Sequence, residues 1–272
     1  MSRLQVRLDA LRSAGRKALV PFVTAGDPSL AATVPVLHAL VAAGADIIEL
    51  GVPFSDPMAD GPVIQRSSER ALGRGAGMAY VLDCVRDFRR RDVDTPLVLM
   101  GYLNPVAIRG AGDFARAAAA AGVDGVLLVD LPPEEAGDYR EAFSAHDVAL
   151  ILLAAPTTDA GRLQQLYALA QGYLYYVSLA GVTGAARLDT HAAGERLRTI
   201  RADSPVPVLA GFGISDAASA AAMAAQADGV IVGSALVAAL AGADDVEDAA
   251  QRAGAFLAPL RAALDGDTQA LR

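Results

Sequence analysis

Two carboxylates and a set of glycine turns carry the chemical content of this sequence. Glu49 lies in Asp46-Ile47-Ile48-Glu49-Leu50-Gly51, a run otherwise built for burial. Withdrawing a carboxylate from water raises its pKa, and a carboxyl group lifted toward neutrality can give and take a proton in one turnover. A buried structural ion pair is the other use of such a residue. Asp60 ends the loop Pro53-Phe54-Ser55-Asp56-Pro57-Met58-Ala59-Asp60, just before Gly61-Pro62. Its position suits either a second reacting carboxylate or a simple helix cap. Asp130, in Val129-Asp130-Leu131-Pro132-Pro133, reads as a turn residue with a supporting role at the same site. Three glycine-containing turns follow late apolar runs: Gly181-Val182-Thr183-Gly184, Gly211-Phe212-Gly213-Ile214 and Gly233-Ser234-Ala235. Backbone N–H groups in such turns, at the start of a helix, hold a phosphate without a cationic side chain.

The elements that would position these groups repeat along the chain. Eight short β-rich runs are expected at Leu19 to Thr24, Ile47 to Gly51, Leu97 to Gly101, Gly125 to Val129, Ala149 to Leu153, Leu174 to Ser178, Val206 to Ala210 and Gly229 to Val232. Between them the pattern turns helical, at Leu30 to Ala43, Ala79 to Arg91, Asp113 to Ala121, Glu134 to Ala145, Ala160 to Ala170, Ala217 to Ala225 and Val246 to Leu264. This alternation predicts a parallel sheet. Chemical residues follow nearly every run and no Gly-x-Gly-x-x-Gly opens the first helix, which favours an α/β fold closed as a (β/α)8 TIM barrel over an open doubly wound sheet. In that barrel Glu49 would point into the mouth, and Asp60 would sit on a loop of the catalytic face. No linker divides the 272 residues, so a single domain is expected, with a frayed tail over 265–272.

Composition narrows the chemistry further. A net charge of -8 argues against nucleic acid or an anionic membrane as a partner. The N-terminal stretch interleaves Arg3, Arg7, Arg12, Arg16 and Lys17 with leucines and valine and lacks the apolar core of a signal peptide. It reads as an amphipathic helix before the barrel, and a cytoplasmic location is expected. Cys84 is the single cysteine, which excludes an intrachain disulfide. Lys17 is the single lysine and precedes the first strand, where no Schiff base could reach a barrel site. The three histidines, His38, His146 and His191, are scattered, and only His191 falls near the upper face, so no metal site is expected. Acid/base chemistry by carboxylates on a phosphorylated substrate remains.

These motifs resemble those of one family over almost the whole chain. Pro21-Phe22-Val23-Thr24-Ala25-Gly26-Asp27-Pro28 and the run from Glu49 to Gln65 are similar to tryptophan synthase alpha chains. The likeness continues through Met100-Gly101-Tyr102-Leu103-Asn104-Pro105, Asp130-Leu131-Pro132 and the three glycine turns. The resemblance implies retro-aldol cleavage of indole-3-glycerol phosphate to indole and glyceraldehyde 3-phosphate. In that reading Glu49 protonates indole C3 and handles the glycerol hydroxyl proton, while Asp60 accepts from the ring N–H. Phe22, Ile64, Met100, Leu127 and Val129 would line an indole pocket, with Tyr102, Tyr175, Asp130 and Thr183 nearby. Gly184, Phe212, Gly213, Gly233 and Ser234 would hold the phosphate. Segments around Pro53 to Asp60 and Leu179 to Leu188 would act as lids.

The same resemblance implies a beta subunit as partner, in a tetramer of two alpha and two beta chains. That subunit, and not this chain, would carry pyridoxal phosphate. Two positions depart from the pattern. Leu179 stands where many relatives have Arg, and Val106-Ala107 follows Asn104-Pro105 where aromatic residues are frequent, which points to a reshaped beta contact. A freestanding indole-3-glycerol phosphate lyase and a regulatory module that only binds phosphate are the alternatives. An apolar patch at Pro57 and Asn104 to Ile108 would favour the subunit. Retention of both Glu49 and Asp60 speaks against the pure binder.

Overall fold

A computed structural model describes residues 1–177, 190–211 and 213–266, with the backbone alone at 190–193. The strands are β1 (Ala18–Thr24), β2 (Ile48–Gly51), β3 (Leu97–Gly101), β4 (Gly125–Leu128), β5 (Ala149–Ala154), β6 (Leu174–Val177), β7 (Val208–Gly211) and β8 (Gly229–Val232). All neighbours pair in parallel, and β8 returns to β1 with Ala18 opposite Gly229 and Pro21 opposite Val232, so the sheet closes into a barrel. Strands buried on both faces need near-continuous apolar runs, and every residue of β1 and of β2 is buried. Glu49 is the charged exception in β2.

Twelve α-helices are defined among the described residues. They are α1 (Arg3–Ser13), α2 (Thr33–Ala42), α3 (Pro62–Gly73), α4 (Met78–Arg89), α5 (Leu103–Arg109), α6 (Ala111–Ala121), α7 (Ala136–Ser144), α8 (Ala160–Leu169), α9 (Thr190–Asp203), α10 (Ala217–Ala224), α11 (Ser234–Leu240) and α12 (Val246–Leu264). Ser2 caps α1, its Oγ accepting from the Gln5 N–H at 3.3 Å. Leu4, Leu8 and Leu11 then fall on one face and are buried with Val20, Ile47, Val98, Leu127, Ile151, Leu209 and Ile231 inside the barrel. The N-terminal helix therefore plugs the end opposite the expected site, as its amphipathic pattern implies. Among the described residues no helix is long and apolar enough to cross a membrane.

That plugged end is pinned by polar clamps. Asp46, Asp124 and Asp228 stand just before β2, β4 and β8, and each accepts from a backbone N–H of the strand before: Leu19 at 3.0 Å, Leu97 at 2.8 Å and Val208 at 2.9 Å. Gln171 does the same for Leu150 at 3.0 Å. The charges are balanced by Arg16 and Arg261 at Asp46, by Arg3 and Arg89 at Asp124, and by Arg201 at Asp228. Lys17 is occupied here too, donating to the Ala227 carbonyl at 2.6 Å.

Some expected boundaries move. The first helical pattern, Leu30 to Ala43, divides into a 3-10 turn at Leu30–Ala32 and α2. Strand seven starts two residues later than expected and runs through Gly211, and strand five extends to Ala154. Asp265, placed in a frayed tail by the sequence pattern, is instead held by Arg16 at 2.9 Å and Arg261 at 2.9 Å. Residues 267–272, Ser178 and the segment Leu179 to Leu188 lie outside the described residues, as do the side chain of His191 and the departure at Leu179.

Candidate active site

At the open end, the loops after the strands enclose a cavity of about 980 Å³. Its walls include Phe22 from β1, Asp60 and Ile64 around the start of α3, Met100 from β3, Val129 and Asp130 after β4, Tyr175 from β6, Gly213 after β7, and Gly233 and Ser234 after β8. Ten of the residues expected at the site thus share one chamber. Thr183, Gly184 and Phe212 lie outside the described residues. Leu127 does not reach the wall: it is fully buried in the interior cluster beneath, paired across β4 with Ile151 and Met100.

Two glycines make the aromatic walls possible. A Cβ on Gly51 would come within 2.5 Å of the Phe22 ring, and one on Gly211 within 2.3 Å of the Tyr175 hydroxyl. Both distances are far inside van der Waals contact, so a glycine at each position clears the space that the neighbouring ring fills.

Glu49 points into the barrel, as expected, but is not part of the chamber wall, with 0% of its surface exposed. Oε1 accepts from the Tyr173 hydroxyl at 2.5 Å, and Oε2 has no partner. No cation neutralises it among the described residues, so the ion-pair reading fails. Burial dominates, the Tyr173 hydrogen bond opposes it, and the Glu49 carboxyl is pushed up to about 7. Tyr173 carries no role in the motifs, although the alternation Tyr173, Leu174, Tyr175 puts both tyrosines on the inner face of β6.

Asp60 is held without being a helix cap. Gly61 is the N-cap of α3 and offers no side chain, while Pro62 takes the first helical position where a missing N–H costs nothing. Tyr102, the residue after β3, takes hold of Asp60: its hydroxyl donates to Asp60 Oδ2 at 3.2 Å and accepts the Ala59 N–H at 2.9 Å. The Tyr102 ring stacks on Phe54 with centroids 4.9 Å apart. Burial outweighs the Tyr102 hydrogen bond and lifts the Asp60 carboxyl to about 6. Tyr175, on the chamber wall, has its ionisation suppressed first by burial and then by the charges of both Glu49 and Asp60.

Asp130 does more than turn the chain. Its Oδ1 accepts from the Leu103 N–H at 2.7 Å, which fixes the start of α5 to the end of β4. On the phosphate side, Gly213 has φ +67 with open space where a Cβ would go, and Gly233 leads straight into α11 at Ser234. Both positions line the chamber after β7 and β8, where barrels of this kind commonly bind a phosphate. Arg162 also lines the cavity from α8 and is paired with Glu134 at 3.2 Å.

Comparison with known proteins agrees with this geometry. The family model described as tryptophan synthase alpha chain matches residues 8–265. A tryptophan synthase alpha chain of Xanthomonas oryzae pv. oryzae is 70% identical over 266 residues, covering 97% of this chain and 99% of the relative. That of Xanthomonas campestris pv. campestris strain B100 is 70% identical over 264 residues, covering 97% of each. The crystal structure of tryptophan synthase subunit alpha from Legionella pneumophila str. Paris superposes with a TM-score of 0.92 at 45% identity, over 98% of this chain and 99% of that one. A structure of tryptophan synthase from M. tuberculosis, in an open form with BRD0059 bound, gives a TM-score of 0.85 at 37% identity, over 97% and 99%. Barrel, chamber and sequence agree, and the chain belongs to the tryptophan synthase alpha chain family, enzymes of tryptophan biosynthesis.

Proposed function

We propose that this chain is a carbon–carbon lyase that cleaves indole-3-glycerol phosphate into indole and glyceraldehyde 3-phosphate. The observation that carries this reading is the pair of buried carboxyl groups, Glu49 near 7 and Asp60 near 6, each held by a tyrosine hydroxyl and with no cation on either among the described residues. Groups poised near neutral pH can both donate and accept.

The indole ring would lie against Phe22, Met100, Val129 and Tyr175, with its N–H toward Asp60 and the phosphate at Gly213, Gly233 and Ser234. Glu49 rotates off the Tyr173 hydroxyl and delivers a proton to indole C3. Asp60 takes the charge that develops at the ring nitrogen. Glu49, now a carboxylate, removes the proton of the glycerol hydroxyl next to the ring. The bond between C3 and the glycerol carbon then breaks, its electrons return to the indole, and the aldehyde leaves with the phosphate. The same proton carrier serves both halves, so no net proton is taken up. Lys17 lies at the plugged end, so no Schiff base forms in the chamber, and pyridoxal phosphate would belong to a partner.

The partner we propose is a beta subunit, in a tetramer of two alpha and two beta chains. It would cover the face of Pro53 to Asp60, Asn104-Pro105 and Leu131 to Glu134. Met58 is 86% and Ile108 80% exposed on these loops, which supports a covered face over a freestanding lyase. Val106 is buried against the core and contributes nothing to that surface, so its departure from an aromatic leaves the contact less altered than the sequence implies.

The test is to incubate the protein with indole-3-glycerol phosphate and quantify indole and glyceraldehyde 3-phosphate, with and without beta subunit. Equimolar products, formed at least tenfold faster with beta, are expected; tenfold corresponds to a partner preferring the active loop state by about 1.4 kcal/mol. No indole under either condition would refute the activity. An unchanged rate at saturating beta would leave a freestanding lyase.

A further inference from the structure

The mechanism leaves unused a buried polar seam between the end of β1 and helix α3. Asp27 is 5% exposed, and Arg70 grips it through both guanidinium arms, at 2.8 Å to Oδ1 and 2.7 Å to Oδ2. Arg74 adds a contact at 3.5 Å. One turn earlier, the Thr24 and Ser67 hydroxyls share a buried hydrogen bond of 2.7 Å, and Ser67 also donates to the Ile64 carbonyl at 2.8 Å. Gly26, at φ +88, completes the seam: a Cβ there would come within 2.6 Å of Ala76 and 3.3 Å of Ala71. Ser67, Arg70 and Ala71 share one face of α3.

Helix α3 is the element on which Asp60 rests. Gln65, in its first turn, donates through Nε2 to the carbonyls of Asp60 at 2.9 Å and Pro57 at 3.3 Å. Ile64, one residue earlier, lines the chamber. A rotation or slide of α3 therefore moves the Asp60 peptide and the chamber wall together. Meanwhile Tyr102, just past β3 at the N-cap of α5, holds the Asp60 carboxylate from the other side. Only one setting of α3 satisfies both grips.

From this arrangement we propose that Asp27 and Arg70, with Thr24 and Ser67, are positioning residues for the lyase reaction: they lock the azimuth and height of α3 on β1 and so place the Asp60 carboxylate. The chemistry of the seam fits that use. The pair is half-buried, with Asp27 withdrawn from water and the Arg70 side chain 35% exposed, and such a pair is an inefficient way to gain stability because Asp27 gives up its hydration. What a bidentate arginine adds is direction, since both N–H vectors and both oxygens must be coplanar. The seam fixes geometry in the element where geometry controls chemistry. The proposal rests on the lyase reading for its kinetic arm and on the structure alone for its spectroscopic one.

The experiment compares wild type with Arg70→Lys, which keeps the charge and loses the fork, and with Ser67→Ala, which removes one hydroxyl. Protein labelled with 13C at aspartate carboxyls is titrated by NMR, the Asp60 signal being assigned by its loss in Asp60→Asn. Release of indole is followed on the same samples. In Arg70→Lys the Asp60 midpoint should fall by one unit or more toward the ordinary carboxylate range as water reaches the loosened loop. Turnover should drop at least tenfold with KM changed by less than threefold, since small misplacements of a reacting group cost one to two orders of magnitude. Ser67→Ala should show the same pattern at about a third of the size on a logarithmic scale. A folded Arg70→Lys with Asp60 titrating as in wild type overturns the proposal, whatever the enzyme's rate, because a role in folding alone scales the amount of native protein without moving that midpoint. If Arg70→Lys does not fold, Ser67→Ala decides: an unmoved Asp60 midpoint overturns the proposal and a lowered one supports it. Wild type that yields no indole while the Asp60 midpoint still responds to the seam would refute the lyase reading and not the positioning.

Discussion

Replacing Glu49 by Gln should make the protein's stability less dependent on pH. The folded carboxyl titrates at about 7 against 4.5 in an exposed chain, a difference of about 2.5 units, each worth about 1.4 kcal/mol. Because the native state binds this proton more tightly than the unfolded one, the associated stability is fully present below 4.5. It is lost as pH rises toward 7, by about 3 kcal/mol in total. Gln carries no proton to lose. The amide has its own cost, since one polar atom remains without a partner as Oε2 does now, but that cost does not vary with pH. The useful quantity is therefore the difference between wild type and variant at two pH values. The sequence pI is near 4.9, so pH 5.5 and 8.5 keep the protein away from its point of minimum charge and still span about 2 kcal/mol of the effect. For a chain of this size that corresponds to roughly 4–8 °C in the melting midpoint. Calorimetric scans of both proteins at both pH values measure it. If the two midpoints keep a constant separation from pH 5.5 to 8.5, Glu49 is not held protonated by burial, and the argument from its environment to its chemistry fails.

Three further outcomes follow from the same geometry. Gly211→Ala puts a methyl group on the Tyr175 hydroxyl, so indole release should fall at least tenfold while the fold survives, and a crystal structure should show the ring displaced; full activity would mean that Tyr175 does not shape the chamber. Arg261→Met leaves Asp46 with its weaker partners at the plugged end and should cost about 3 kcal/mol in urea unfolding with kcat unchanged, because the seal lies across the barrel from the chamber. A crystal soaked in glycerol phosphate should place the phosphate on the backbone of Gly213, Gly233 and Ser234; density at Arg162 instead would move the phosphate end to the β5 side.

The barrel was legible because its strands are buried on both faces, and such strands must be written in Val, Ile and Leu. Glu49 stood out against that background as a charge where water cannot follow. The sequence pattern does not show helices α3, α5, α9 and α11; α9 is missed because Leu197 and Ile200 are the large apolar residues that its described part buries. The buried face of α3 is Ser67, Ser68 and Ala71, so it carries no apolar period to read, and its anchor is the ion pair to Asp27. The other two are seven residues long, too short for a period to repeat. Tyr173 could have been found from its two-residue spacing to Tyr175, which fixes both on the inner face of β6. That its hydroxyl meets Glu49 depends on closure of the barrel from β2 to β6, and no local pattern contains that contact. Asp130 shows the converse: the turn reading was sound, and its side chain also fixes the start of α5 on the preceding loop.

The proposed cleavage turns on the proton carried by Glu49. The decisive measurement is the single-turnover rate of indole release from indole-3-glycerol phosphate by wild type and by Glu49→Gln, alongside the affinity of each for glycerol phosphate. A loss of a hundredfold to ten-thousandfold in rate, with affinity changed by less than about threefold, is the predicted result. A loss below roughly tenfold at unchanged affinity would contradict it and put the proton transfer on another group.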